Sequence, residues 1–178
     1  MNSDELKALI RTVPDFPKPG ISFRDITTLI GDGPGLAAAV AMLAERADAA
    51  GAQAIAGIEA RGFIFGAAVA ARLGLGFLPV RKPGKLPVPV LALDYALEYG
   101  SDTLEIDPGA IGSGQRLVLV DDLIATGGTA LAAAQLLRQA GALVEEALFV
   151  IDLPDLGGAD RLRAAGLNVE CLIGFPGH

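Results

Sequence analysis

Residues Arg116-Leu-Val-Leu-Val-Asp121-Asp122-Leu-Ile-Ala125-Thr126-Gly127-Gly128-Thr129 carry a strand, an acidic pair, a small-residue loop and the start of a helix in immediate succession. Leu117 to Val120 is an unbroken β-rich apolar run, the pattern of a strand buried on both faces of a parallel sheet. Two carboxylates stand where that run ends, so the strand is expected to stop there with Asp121 and Asp122 facing outward. Adjacent glycines flanked by threonines follow, and the alanine- and leucine-rich run from Ala130 to Leu137 reads as a helix.

Such a loop has a physical use. The first N–H groups of a helix have no partner within it, the helix dipole adds partial positive charge, and glycines let an anion approach the backbone closely. Ala125, Thr126, Gly127, Gly128 and Thr129 therefore read as a phosphate cradle, with carboxylates beside it that suit sugar hydroxyls or a magnesium ion. The plainer alternative is a buried strand whose acids only solvate its exit. Other phosphate motifs fail: no lysine completes a Gly-x-x-x-x-Gly-Lys-Ser/Thr loop, and Gly112-Ser113-Gly114 precedes the strand where a dinucleotide fingerprint would follow it.

An apolar run, two acids, two variable residues and Ala-Thr-Gly-Gly-Thr resembles the 5-phosphoribosyl-1-pyrophosphate (PRPP) motif of the type I phosphoribosyltransferases. That resemblance implies an α/β fold of the phosphoribosyltransferase type I kind. Its mainly parallel, twisted central sheet would be flanked by helices, with a small N-terminal hood and a basic lid loop.

Composition sets the outer bounds. A chain of 178 residues with 52% hydrophobic content is expected to form one domain (1–178), large enough to bury a core without metal or disulfide. Its apolar stretches are broken by charges and glycines before reaching the ~18 residues a membrane span needs. A net charge of −7 argues against a nucleic-acid binder, which depends on a positive footprint. The absence of a basic-then-apolar leader and the single cysteine, Cys171, lead us to expect a reducing cytoplasm, with Cys171 packed as a small core side chain. His178, the only histidine, is the last residue and is not expected to act as a base.

Along the chain, Ser3 is the expected cap of a short first helix, and three prolines between Pro14 and Pro19 exclude regular structure. Asp32 to Gly35 starts a helix that Gly51 stops, and Ala54 to Ile58 is a short buried strand. Glu59-Ala60-Arg61-Gly62 is then a turn leading to a helix from Phe63 to Arg72. It repeats the central pattern with a cation added, a place where backbone donors and Arg61 would hold a pyrophosphate. After a strand from Leu75 to Val80, Arg81-Lys82-Pro83-Gly84-Lys85-Leu86-Pro87-Val88-Pro89 is too broken for a central strand. This long basic connection reads as a mobile lid or, more plainly, as an exposed hairpin. Leu143 to Leu153, a short helix over 157–165 and Val169 to Ile173 complete an alternating pattern that implies right-handed crossovers.

Pro14-Asp15-Phe16-Pro17, Gly20 and Phe23-Arg24-Asp25-Ile26, with Arg81-Lys82, Gly84-Lys85-Leu86-Pro87 and Leu97-Glu98-Tyr99-Gly100, are similar to the adenine phosphoribosyltransferase family. The resemblance implies a hood over residues 1–30 in which the Ser22 backbone and Phe23 hold adenine beside Arg24. It also implies a lid over 81–106 in which Glu98, flanked by Tyr99, assists proton transfer at the purine. Glu59, Ala60, Arg61, Arg81 and Lys85 would hold pyrophosphate, in a loop whose peptide bond before Ala60 is cis in the family. Ala125 to Thr129 would hold the 5′-phosphate, and Asp121 and Asp122 the ribose hydroxyls. Magnesium would enter with PRPP, and a homodimer is implied. Pro83 and Ala96 depart from the family's usual basic residue and serine. The reaction implied is adenine plus PRPP giving AMP and pyrophosphate; transfer to an oxo-purine, or PRPP or purine sensing without catalysis, are the alternatives.

Overall fold

A computed structural model describes residues 1–97 and 99–177; Glu98 and His178 lie outside the described residues. The N-terminal part contains α1 (Ser3–Ala8), an antiparallel ribbon of β1 (Arg11–Val13) and β2 (Phe23–Asp25), α2 (Thr27–Ile30) and α3 (Gly33–Ala49). Asn2, not Ser3, caps α1: its side chain accepts from the Glu5 amide while the Glu5 carboxylate accepts from the Asn2 amide. That reciprocal pair satisfies two otherwise unpartnered donors, which a Ser3 cap would not have matched with a glutamate at the right spacing. Asp32 caps α3 as expected, accepting from the Gly35 amide at 2.8 Å.

The rest alternates strands with helices: β3 (Ala54–Ile58), α4 (Arg61–Leu73), β4 (Gly76–Val80), β5 (Leu91–Ala96), β6 (Ser101–Ile106), β7 (Arg116–Ile124), α5 (Gly128–Gln139), β8 (Leu143–Asp152), α6 (Gly158–Ala164) and β9 (Asn168–Gly174). Five strands form one sheet in the order β4-β3-β7-β8-β9, every neighbouring pair parallel. Side-chain alternation then builds two cores. Ala56, Ile58, Leu117, Leu119, Ala147 and Phe149 pack beneath α5 and α6 on one face. Ile55, Val118, Val120, Leu148 and Val150 meet α1, α3 and α4 on the other. The expected parallel sheet, covered on both faces, is the one found.

One expectation changes, and the reading of the basic connection gains detail. The acids do not end β7, which runs on to Ile124 because its pairing with β8 continues through Leu123 to Ile151 and Ile124 to Asp152. Pairing with β3 stops at Gly57 to Val120, and the tail of β3 stays with β4 through the Glu59 amide and Val80 carbonyl. The basic connection is irregular only as far as Val90. Beyond it, β5 and β6 form a hairpin that packs on α5, and paired hydrogen bonds between Arg81 and Glu105 fasten it to the end of β4.

Candidate functional site

The sheet order reverses between β3 and β7, since β4 lies on one side of β3 and β8 and β9 lie beyond β7. A crevice opens at such a point, outside the carboxyl ends of the strands, and ligands of open α/β sheets bind there. A cavity of about 300 Å³ occupies it, lined by Glu59, Ala60, Arg61, Lys82, Asp121, Asp122 and the loop from Ala125 to Ala130. Two loops, one after β3 and one after β7, thus face each other across the acidic pair.

The β7 loop owes its shape to Gly127, whose φ of +84° suits a residue without a side chain. From there α5 begins, and the amides of Gly128, Thr129 and Ala130 precede the first intrahelical bond, in which the Leu131 amide donates to the Gly127 carbonyl at 2.9 Å. The loop is held from behind by α6. The Gly158 amide donates to the Ala125 carbonyl at 3.0 Å, and a Cβ on Gly158 would stand only 2.4 Å from that oxygen.

Asp122 is 4% exposed and accepts from Arg61 Nε at 2.5 Å, so it turns inward instead of facing solvent. That hydrogen bond raises the Arg61 guanidinium above its already high ordinary value, with burial opposing it. Asp121 accepts from the Asp122 amide at 2.8 Å and lies against Gly62, where a Cβ would meet its Oδ1 at 2.7 Å. Burial pushes the Asp121 carboxyl well above the usual range, and the neighbouring Asp122 charge adds to this. Within the pair, Asp122 is thus matched by the Arg61 guanidinium, whereas burial favours the protonated form of Asp121.

On the β3 side the Glu59–Ala60 peptide is cis, and Arg61 is the first residue of α4. Glu59 turns toward the basic segment, accepting from the Lys82 amide at 2.7 Å and from Arg81 Nε at 3.2 Å. Lys82 reaches the cavity, which the sequence showed only as one cation in a basic run. Burial would lower its ammonium, but the hydrogen bond to Asp102 prevails and raises it. Tyr95 Oη lies 3.4 Å from Asp102 Oδ2 and 3.2 Å from Thr129 Oγ1, so the hairpin touches the β7 loop. No motif marked Tyr95 or Asp102; their roles exist only once the hairpin is docked.

Other expected residues stand apart from the cavity. Lys85 is exposed and does not line it, and Tyr99, at the hairpin tip, is 84% exposed. Glu98 lies outside the described residues. Ser22, Phe23 and Arg24 sit together at the start of β2, not in the cavity wall. Phe23 packs edge-on against Phe16 with centroids 5.2 Å apart. Arg24 donates to Thr12 Oγ1 at 2.7 Å and lies 4.6 Å over the Phe175 ring.

Residues 27–161 match the phosphoribosyl transferase domain. Over all 178 residues, and over the full length of each relative, the chain is 74% identical to an adenine phosphoribosyltransferase of Novosphingobium aromaticivorans and 70% identical to one of Erythrobacter litoralis. Among solved structures, adenine phosphoribosyltransferase from Thermoanaerobacter pseudethanolicus superposes with a TM-score of 0.91 at 47% identity, covering 98% of this chain and 100% of that one. The Saccharomyces cerevisiae enzyme, complexed with an imino-altritol bisphosphate and adenine, gives 0.90 at 38% identity, covering 96% and 97%. Domain, full-length likeness and the paired loops at the switch point agree: the chain belongs to the adenine phosphoribosyltransferase family.

Proposed function

We propose that this chain transfers the 5-phosphoribosyl group of PRPP to adenine, giving AMP and pyrophosphate. The observation that carries the reading is the cavity in which a phosphate-type loop, a cationic loop and an acidic pair converge at the switch point of the sheet. In this reaction a bond forms between a ring nitrogen of adenine and the anomeric carbon. The bond to pyrophosphate breaks with its electron pair leaving on oxygen, and the purine gives up a proton. Charge develops as in glycoside chemistry, so positioning and electrostatic stabilisation are what the protein must supply.

Ala125 to Thr129 take the 5′-phosphate on the amides that open α5. Arg61 and Lys82 face the departing pyrophosphate across the cavity, Glu59 and Ala60 shape that loop, and Arg81 and Lys85 add charge from the basic segment. Asp121 and Asp122 accept from the ribose hydroxyls. The hood, through Ser22, Phe23 and Arg24, holds the base; Glu98 receives the purine proton and Tyr99 belongs to the lid. Among the described residues no group of three or more His, Cys, Asp or Glu could cage a metal. The two carboxylates lining the cavity, Asp121 and Asp122, fit magnesium that arrives on the diphosphate and keeps its waters. Bound in that way, the ion neutralises pyrophosphate charge.

The chain is read as a cytoplasmic homodimer of the salvage type, with no nucleic-acid partner, on the family likeness. Among the described residues no helix is long and apolar enough to cross a membrane. The test is to supply PRPP and magnesium with adenine, hypoxanthine, guanine or xanthine separately, following pyrophosphate and nucleotide. AMP from adenine alone is expected. Turnover of an oxo-purine instead overturns the assignment of the base, and tight PRPP binding without turnover of any base overturns the assignment of catalysis.

A further inference from the structure

We propose that Arg161 is a further 5′-phosphate-binding residue, contributed by α6 from the far side of the β7 loop. The proposal rests on the reading of Ala125 to Thr129 as the phosphate site. Backbone contact fixes α6 against that loop: the Gly158 amide donates to the Ala125 carbonyl, and the two segments meet so closely that a Cβ on Gly158 would lie 2.8 Å from the Gly127 nitrogen. One turn onward stands Arg161, whose amide donates to the Gly157 carbonyl at 3.0 Å. Its Nη1 lies 3.5 Å from the point a Cβ on Gly128 would occupy, beside the first residue of α5.

The two arginines of α6 differ in what they meet. Arg163 is engaged structurally, donating to Asp160 at 3.2 Å and to the Val169 carbonyl at 3.1 Å. Arg161 is exposed and leans over the loop. A phosphate seated on the opening amides of α5 comes within reach of that guanidinium, whose planar fork of donors matches phosphate oxygens. The loop itself holds no cation, so Arg161 supplies from outside a charge that the amides alone do not.

The experiment compares AMP and adenosine binding by calorimetry, with PRPP kinetics, in the wild type, Arg161→Gln and Arg161→Lys. Arg161→Gln is expected to weaken AMP binding and raise the KM for PRPP by about 3- to 10-fold, the range of a partly exposed ion pair. Adenosine affinity and the KM for adenine stay unchanged, Arg161→Lys recovers most of the loss, and added salt narrows the difference. Equal weakening of AMP and adenosine, or unchanged AMP affinity in Arg161→Gln, overturns the proposal. A wild type that binds AMP no better than adenosine overturns the phosphate-loop reading itself, and the Arg161 assignment with it.

Discussion

Asp121 shows how a side chain of the candidate site can work against the fold that holds it. Burial and the Asp122 charge raise its folded pKa above the 3.8 of a free aspartate. The native chain therefore binds more protons than the unfolded one as pH rises through and above that ordinary value. The cost to stability is absent below the unfolded pKa, grows with pH, and is complete above the folded pKa. Asp121→Asn keeps the oxygen that accepts from the Asp122 amide and removes the charge. At pH 7 its Tm should rise on the order of 2–4 °C, the response to about 1 kcal/mol in a chain of this length. The gain should shrink as pH falls through the raised folded pKa and be gone below about 4; thermal unfolding at a series of pH values that shows a lower Tm at pH 7 would sink the idea. The Asp121→Asn, Asp122→Asn double variant should lose at least roughly 100-fold in turnover, comparable to removing one preorganised electrostatic contact. AMP formation at saturating substrates checks it, and near-normal turnover refutes it. Both acids were plain in the sequence, but the pairing of Asp122 with Arg61 joins residues 61 positions apart and was not.

At the scale of elements, the β7 loop depends on a helix that follows it by thirty residues and that no local pattern attaches to it. Gly158→Ala would place a methyl group 2.4 Å from the Ala125 oxygen, so loop and α6 must separate. Displacement of a binding element by about 1 Å can cost on the order of 100-fold. The variant is therefore expected to raise the KM for PRPP by roughly 10- to 100-fold while the chain stays folded. Steady-state kinetics beside a melting curve separate this from unfolding. The hairpin of β5 and β6 teaches the same lesson. Prolines and cations announced an irregular connection, and residues 82–90 are irregular. The alternating burial of Leu91–Ala96, with Tyr95 reaching Thr129, required α5 as a partner before it had meaning.

For the whole molecule, two cores share one sheet, and the one beneath α5 and α6 also backs the β7 loop. Phe149 is fully buried beneath α5 and α6. Phe149→Ala should cost about 3–5 kcal/mol, or ~6–20 °C in Tm for a chain of this size. Chemical denaturation with Phe149→Leu as the milder comparison checks the magnitude. What the sequence by itself determined was whatever depends on neighbours in the chain. That includes the buried strands, the helix starts at Asp32 and near Ala130, the phosphate-type loop, and the family likeness that gathers them. Backbone propensity, capping and apolar period act over a few residues and can be read in order. What only the tertiary structure decided was the continuation of β7 past its acids and the inward turn of Asp122 to Arg61. It also decided the entry of Lys82 into the cavity wall and the seat of α6 behind the β7 loop. Each of these arises where β3 parts from β7 and distant segments are pressed together, and contacts of that kind follow from packing, which no local pattern records.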